Sequence, residues 1–277
     1  MNGQINVIKR ILAIDIGNTA VTFGFYEAGR LLDFGSMEYN EIPKYTRKLT
    51  ACGKNSHLEV IISSVYPKIT TFLKCKLQSV KGLKLWVVGG NSPIKIRHKY
   101  INYSGLGVDR KVNIYGAVRM YRLPLLVIDY GTAITFDYID SKGVFLGGMI
   151  IPGPETAYRA LGQRAALLPK GLSIPKRAKS FLGRNARECM ESGILQGYGA
   201  MTDELILRFQ KRYGKNLRVL ATGGFSEVIR PYTTHIDVID PKHSIKSLLA
   251  LWREKNSAAK HISRLPFLVP RLPIFLA

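Results

Sequence analysis

The sequence contains Ile11-Leu12-Ala13-Ile14-Asp15-Ile16-Gly17-Asn18-Thr19 and, later, Leu125-Leu126-Val127-Ile128-Asp129-Tyr130-Gly131-Thr132, two apolar runs that each end in Asp-x-Gly and a small polar residue. Each run predicts a buried strand, and its glycine allows a tight turn in which amide groups and side-chain oxygens face one point. An apolar strand resumes after each turn, at Val21-Thr22-Phe23 and at Ile134-Thr135-Phe136. Each Asp-x-Gly therefore lies in a β-hairpin suited to holding phosphate.

The sequence around these glycines excludes two common phosphate-binding loops. A P-loop needs Gly-Lys-Ser/Thr at the start of a helix, and the dinucleotide fingerprint needs three spaced glycines there. Neither pattern occurs in the sequence. One Asp-x-Gly hairpin is compatible with an ordinary turn, since Asp and Gly dominate turns. Two strand-anchored copies, one in each half, instead indicate a duplicated domain with a nucleotide held between the halves.

The composition is that of a globular protein with an unusually basic charge. The 277 residues are 46% hydrophobic and 22% charged, which allows two modest domains with cores. The 41 Lys and Arg against 19 Asp and Glu give a formal net charge of +22. Such a charge raises nucleic acid or an anionic membrane as partners, but it also suits a solvated surface or the attraction of anionic small molecules. The basic clusters carry no recognisable nucleic-acid-binding motif.

Cysteine usage and the chain ends predict a cytoplasmic protein. Cys52, Cys75 and Cys189 stand alone, and the five histidines show no ligand spacing, so a structural zinc site is not expected. No signal-peptide pattern opens the chain, because Asp15 interrupts the first apolar run. The apolar tail at 265–277 is broken by prolines and is shorter than the ~20 residues that span a membrane. We therefore expect no membrane anchor.

Predicted strands and helices alternate along the chain, which favours an α/β architecture. The pattern predicts helices that start at Pro67 and Val108, and further helices over about 155–168 and 184–213. Pro124 stops the helix that starts at Val108, just before the second hairpin. We therefore predict an N-terminal domain at 1–122, a C-terminal domain at 123–255, and an extension of unknown role at 256–277.

Three motifs taken together resemble a known superfamily. In order, they are Asp15-x-Gly17-Asn18-Thr19, Asp129-x-Gly131-Thr132 and Thr222-Gly223-Gly224. They resemble the two phosphate motifs and the adenosine motif of the superfamily that contains sugar kinases, heat-shock ATPases and actin. The resemblance implies an α/β fold of two duplicated ribonuclease-H-like domains, with the active site in the cleft between them.

Further elements narrow the resemblance to one family. Gly107-Val108-Asp109-Arg110 before a helix, Gly147-Gly148-Met149-Ile150-Ile151-Pro152-Gly153, and Ala160-Leu161 followed by Leu168-Pro169 resemble the bacterial type III pantothenate kinases. The match covers residues 10–255 approximately. It implies ATP-dependent phosphorylation of pantothenate to 4′-phosphopantothenate, the first step of coenzyme A biosynthesis. It also implies a homodimer that uses magnesium and a monovalent cation, potassium or ammonium.

The resemblance implies roles for individual residues. Asp109 corresponds to the catalytic base, and Asp129 to the residue that coordinates the monovalent cation. Asp15 is expected to serve magnesium, directly or through water, since magnesium favours one or two carboxylates and phosphate oxygens. ATP-binding positions are Asp15, Ile16, Gly17, Asn18, Thr19, Ala20, Val21, Thr22 and Thr132. Substrate-binding positions are Tyr100, Gly107, Val108, Asp109, Arg110 and Ala186.

One position departs from the family, and two alternative functions stay open. Ala186 stands where the family commonly has a threonine, so one hydrogen bond to substrate is missing. A DNA-binding transcriptional accessory protein on the same fold would suit the charge of +22. A kinase of another small molecule is the second alternative, because a fold does not fix its substrate. Asp15, Asp109, Arg110 and Asp129 together favour a catalyst.

Overall fold

The chain builds two β-sheets of related topology. The computed structural model describes residues 10–46, 58–78, 80, 82–89, 94–171 and 173–258. Cys52 and, beyond Ala258, most of the predicted extension lie outside the described residues.

The first sheet contains the first Asp-x-Gly hairpin at its centre. Its strand order is β3-β2-β1-β4-β5, with β1 antiparallel to β2 and parallel to β4. Helix α1 (Pro67–Gln78) connects β4 to β5 and begins at the predicted proline. The five strands are β1 (Arg10–Ile16), β2 (Val21–Glu27), β3 (Arg30–Met37), β4 (Leu58–Ser64) and β5 (Lys84–Val87).

The second sheet contains the second hairpin in the same position. Its order is β11-β10-β7-β8-β9-β6, with β7 antiparallel to β8 and parallel to β10. Its strands are β6 (Arg97–His98), β7 (Leu125–Tyr130), β8 (Ala133–Ile139), β9 (Val144–Pro152), β10 (Arg218–Thr222) and β11 (Val238–Ile239). The helices of this half of the chain are α2 (Val108–Met120), α3 (Pro154–Arg164), α4 (Ala186–Tyr213), α5 (Ser226–Ile229) and α6 (His243–Ala258).

The two sheets repeat one arrangement. The order β3-β2-β1-β4-β5 matches β9-β8-β7-β10-β11 strand for strand, and β6 adds an edge to the second copy. The central strands β1 and β7 are buried almost throughout, as expected for strands covered on both faces, and Asp15 and Asp129 are partly exposed near their ends. The duplicated α/β fold predicted from the two hairpins is confirmed.

Two predicted helix boundaries were wrong by a few residues. Helix α3 ends at Arg164 rather than Leu168, and Ala165 is extended. Leu168 precedes Pro169, and the residue before a proline is disfavoured in helical conformation. Helix α4 begins at Ala186 rather than Arg184, because the Asn185 side chain caps it by accepting a hydrogen bond from the Glu188 amide at 3.0 Å.

The last helix of each half crosses towards the other half. Helix α6 packs on β1 and β4 of the first sheet, where Ile245, Leu248 and Trp252 join one buried cluster with Ile11 and Ile61. Helix α2 packs on β7 and β8 of the second sheet and also on β4 of the first, and the two helices pack on each other. The predicted boundary near residue 122 thus falls between two halves that exchange helices, and it stays a prediction.

Candidate active site

The first hairpin is a tight turn between β1 and β2. The Gly17 amide donates to the Ala20 carbonyl at 3.0 Å, which closes the turn. The Tyr39 hydroxyl donates to the Gly17 carbonyl, and the Tyr39 ring stacks on Tyr66 with centroids 5.3 Å apart. Asn18 and Thr19 are exposed at the tip. The turn is therefore braced from behind while its polar side chains remain open to solvent.

The second hairpin is braced by the segment that follows β9. The Gly131 amide donates to the Ala133 carbonyl at 3.1 Å, as in the first hairpin. The Thr132 carbonyl accepts from the Gly153 amide at 2.9 Å and from the Thr156 hydroxyl at 2.6 Å. The Pro-Gly end of the Gly-Gly-x-Ile-x-Pro-Gly element thus holds this hairpin in place.

The two hairpins meet. The Thr19 and Thr132 hydroxyl oxygens lie 3.0 Å apart, although 113 residues separate them. The two aspartates also occupy equivalent places in their sheets: Asp15 pairs with Thr22 and Ser63, and Asp129 with Thr135 and Thr222. The polar tips of the two copies therefore line one space between the sheets, as the duplication predicted.

A third carboxylate reaches this space from the start of α2. Gly107 precedes the helix, and Asp109 lies in its first turn, as predicted. The Asp109 Oδ1 atom accepts a hydrogen bond from the Arg110 amide at 2.8 Å. A Cβ at position 107 would lie 2.4 Å from that oxygen, so the Asp109 carboxylate needs glycine there. The Gly-x-Asp-Arg element thereby fixes Asp109 at the positive end of the helix dipole.

Asp15, Asp109 and Asp129 influence one another electrostatically. Burial and then the charge of Asp109 raise the pKa of Asp15 to about 6. Burial, Asp109 and Asp15 raise the pKa of Asp129 to about 7. Like charges that share a partly buried site disfavour ionisation, and a bound cation removes that penalty. The space between the hairpins is therefore suited to cations.

Arg110 is tied to a carboxylate that the sequence reasoning missed. Its Nη2 lies 2.5 Å from Asp137 Oδ1, and its Nε donates to both oxygens at 3.1 and 3.2 Å. Asp137 is 1% exposed, and Arg110 is 7% exposed. Burial lowers the pKa of Arg110, but the hydrogen bonds and charge of Asp137 outweigh burial, and the net shift is upward. The guanidinium is thus held charged and in one orientation.

Tyr100 and Gly148 surround this pair. The Arg110 Cζ atom lies 5.8 Å from the Tyr100 ring centroid, and Tyr100 stacks on Phe145. A Cβ at Gly148 would lie 2.6 Å from Asp137 Oδ1 and 2.7 Å from Arg110 Nη2. The second glycine of the Gly-Gly element therefore makes room for the ion pair. A buried aspartate alternating with apolar residues on β8, Phe136-Asp137-Tyr138, was the available signal for Asp137.

Asp129 also has partners that the sequence did not reveal. Asn113 Nδ2 donates to Asp129 Oδ2 at 2.8 Å. Gly223, at the end of β10, has a φ of +86°, and a Cβ there would lie 2.4 Å from Asp129 Oδ1. Glycine is thus required where the predicted adenosine motif passes this carboxylate.

The remaining predicted positions differ in how closely they approach the hairpins. Val108 begins α2, and its side chain packs against Gly89 in the first half. Ala186 begins α4 on the exposed surface and has no hydrogen-bonding side chain. Ile16 and Val21 are buried strand residues beside the first turn. Ile16 and Val21 therefore have only backbone groups to offer at this turn.

Among the described residues, no group of three or more His, Cys, Asp or Glu side chains has the arrangement of a metal site. None of the helices in the described ranges is long and apolar enough to cross a membrane.

The two repeated sheets define the class of fold, a duplicated ribonuclease-H-like α/β fold. A 2-dehydro-3-deoxygalactonokinase-like structure from Sinorhizobium meliloti has a TM-score of 0.56 at 10% identity and covers 94% of this chain and 100% of its own. A protein described as a Baf family transcriptional activator, from Campylobacter jejuni, has a TM-score of 0.55 at 19% identity and covers 89% of this chain and 99% of its own. At these identities the likenesses show the fold alone.

The sequence comparisons identify the family. The model of the type III pantothenate kinases matches residues 11–208. A type III pantothenate kinase of Bacillus cytotoxicus is 32% identical over 260 residues, covering 91% of this chain and 98% of the relative. This chain belongs to the type III pantothenate kinase family, and its activity is the ATP-dependent phosphorylation of pantothenate in coenzyme A biosynthesis.

Proposed function

We propose that the phosphoryl group passes from ATP to the pantothenate hydroxyl in the space between the two hairpins, with Asp109 as the base. The observation that supports this most directly is the contact of Thr19 with Thr132 at 3.0 Å. It brings two phosphate-suited turns to one point, and the charge of Asp109 acts on both hairpin aspartates there. Phosphoryl transfer depends on such positioning and charge neutralisation rather than on covalent chemistry.

The first hairpin is proposed to bind the phosphates of ATP. The exposed Asn18 and Thr19 and the backbone of Gly17 provide donors at its tip, and Thr132 adds a hydroxyl from the second hairpin. Asp15 would hold magnesium, directly or through water, because a carboxylate with a raised pKa among like charges gains most from a cation. Bound magnesium would neutralise the charge on the transferring phosphoryl group.

Asp129 is proposed to hold the monovalent cation, potassium or ammonium. The charges of Asp109 and Asp15 raise its pKa, and no positively charged side chain is hydrogen-bonded to it in the described residues. An added positive charge would favour its ionised form. The cation would also reduce the repulsion that this carboxylate exerts on the phosphates held nearby.

The pantothenate site is proposed to lie beside Arg110. Its guanidinium is held by Asp137 and lies against the Tyr100 ring, so it can meet a carboxylate or phosphate without reorganising. Gly107 and Val108 place Asp109 next to it. Ala186 would contribute a methyl group where the family has a hydroxyl.

A homodimer in the cytoplasm is proposed as the functional form. Large apolar side chains are exposed within 149–182, where Leu167 is 96% exposed and Phe181 74% exposed. Exposed apolar surface of this kind marks interfaces. Sedimentation should give twice the chain mass of 31.0 kDa, and Phe181→Glu should shift it towards one chain.

The test measures ADP formation with pantothenate in sodium, and then in potassium or ammonium. We expect stimulation by the latter two only. Asp109→Asn should lower turnover by roughly 100- to 10,000-fold, the usual effect of removing a general base. Asp33→Asn, at an exposed position on edge strand β3, is the matched control and should retain activity. A near-wild-type turnover in Asp109→Asn would refute the base assignment.

A further inference from the structure

Asn113 lies one helical turn after Asp109 and is directed at Asp129. It is 3% exposed, and its Nδ2 donates to Asp129 Oδ2 at 2.8 Å. We propose that Asn113 is a positioning residue that fixes the Asp129 carboxylate, and through it the monovalent cation, relative to the helix that carries the base. This inference rests on the proposed cation role of Asp129.

The spacing of Asp109 and Asn113 gives the link its geometry. Residues four apart lie on one face of a helix, so both side chains of α2 (Val108–Met120) are directed to the same side. Asp109 reaches the cleft from the first turn, and Asn113 reaches β7 from the second. One rigid helix therefore sets the distance between the proposed base and the proposed cation carboxylate.

The Asn113 amide is oriented by Asp129 rather than by the core around it. Its Oδ1 atom is buried and has no hydrogen-bond partner among the described residues. The opposite orientation of the amide would place that oxygen against the Asp129 carboxylate. A buried acceptor without a partner lowers stability. The Asn113 amide has this cost in the orientation that lets Nδ2 donate to Asp129, so we infer that this hydrogen bond orients Asp129 for the site.

The backbone of Asn113 is held from the other half of the chain. His243 Nε2 donates to the Asn113 carbonyl at 2.9 Å, and His243 is fully buried at the start of α6 (His243–Ala258). Burial lowers the pKa of His243 to about 4, so its ring is neutral near pH 7 and the proton lies on Nε2. Asn113 is thus fixed by β7 through its side chain and by α6 through its carbonyl.

The two oxygens of Asp129 have different surroundings. Oδ2 accepts from Asn113, whereas a Cβ at Gly223 would lie 2.4 Å from Oδ1, so glycine leaves that oxygen room. Asn113 therefore supplies the hydrogen bond that orients this carboxylate, which is the usual function of groups around a metal ligand. Without Asn113, no side-chain hydrogen bond to Asp129 remains among the described residues.

The test compares Asn113→Leu, which keeps a similar shape without a donor, with Ser247→Ala as the matched control. Ser247 is equally buried in α6; its hydroxyl donates to the His243 carbonyl at 2.7 Å and lies 3.5 Å from His243 Nε2, and it has no hydrogen bond to Asp129. The first readout is the potassium-dependent rise of the unfolding temperature without substrates. The second compares the potassium activation constant with KM for pantothenate. Loss of a group that orients a metal ligand weakens metal binding by about 10- to 100-fold.

We expect the potassium concentration that gives the half-maximal response to rise at least about tenfold in Asn113→Leu but not in Ser247→Ala. KM for pantothenate should change little in either variant. Asn113→Leu combined with Asp129→Asn should respond as Asp129→Asn alone, because Asn113 acts through Asp129. Additive losses, or equal effects of Asn113→Leu and Ser247→Ala, would overturn the inference. If Asn113→Leu fails to fold, Asn113→Ala takes its place. A wild-type chain without a potassium response would overturn the cation role itself.

Discussion

Replacing Asp137 by alanine should lower the stability of the chain by a measurable amount. The Arg110 guanidinium is 9% exposed and Asp137 2% exposed by side chain, and three hydrogen bonds join them. Asp137→Ala leaves a buried positive charge without its carboxylate. Removal of one partner of a buried ion pair destabilises a protein by about 3–5 kcal/mol.

The expected loss is near the lower end of that range. Burial raises the pKa of Asp137, and Arg110 opposes that rise, so part of the attraction already offsets desolvation. Tyr100 remains beside the guanidinium at 5.8 Å and would partly stabilise the unpaired charge. We therefore expect the free energy of unfolding, measured by urea titration, to fall by about 3 kcal/mol in Asp137→Ala.

A double variant separates the two roles of the pair. Apolar replacement of both members of a buried ion pair is often neutral or stabilising. Arg110→Met with Asp137→Leu should therefore regain most of the lost stability. It should not regain activity, because the proposed contact between Arg110 and substrate is gone. Its kcat/KM should remain at least about tenfold below that of wild type, which is equivalent to about 1.4 kcal/mol.

One outcome would contradict the buried ion pair, and another would contradict the substrate contact of Arg110. If Asp137→Ala unfolds within about 1 kcal/mol of wild type, the pair is not a buried charge held by its partner. If the double variant has wild-type kcat/KM, Arg110 does not contact the substrate. Gly148→Ala should impair both properties as well, since its Cβ would lie 2.2 Å from the Phe136 carbonyl oxygen and 2.7 Å from Arg110 Nη2.

Three other predictions follow from the site. The pKa of Asp129 is raised to about 7 in the folded chain, so the folded residue binds more protons than the unfolded one. The free energy of unfolding should therefore fall as pH rises through about 7. Urea titrations of Asp129→Asn should lack that fall. Ala186→Thr should lower KM for pantothenate by about two- to tenfold, the value of one neutral hydrogen bond, and leave KM for ATP unchanged. Gly223→Ala should destabilise the chain by about 1–3 kcal/mol and weaken its potassium response, because its φ is +86°; Gly224→Ala, which has open space, is the control in both assays.

The hairpins could be predicted from the sequence because their determinants are local. An apolar run, an Asp-x-Gly turn and a second apolar run specify a strand, a turn and its partner within fewer than twenty residues. Recurrence of the pattern at Asp129 then indicated a duplicated fold, which the matching strand orders confirm. The start of α2 was equally local, because Gly107 and the spacing of apolar residues mark it.

The partners of the site residues could not be predicted, because they are distant in the sequence. Arg110 pairs with Asp137 over 27 residues, and the His243 ring bonds to the Asn113 carbonyl over 130 residues. Neither contact follows from hydrophobic periodicity or turn chemistry. Asp137 stands out as a charged residue between apolar strand residues, but nothing local indicates Arg110 as its partner, and Asn113 looks like any polar residue in a helix. The packing of α2 against β7, β8 and α6 brings these residues to their partners.

Helices α2 and α6 each reach the Asp-x-Gly strand of the other half of the chain. Helix α2, from the first half, brings Asn113 to the Asp-x-Gly strand of the second half at 2.8 Å. Helix α6, from the second half, packs on β1 of the first, and the Ser244 side chain at its start acts on Asp15 as a hydrogen-bond donor. Each aspartate is therefore reached by the other half's helix. Because α2 and α6 also pack on each other, a single helix crossing links the elements that reach the two aspartates.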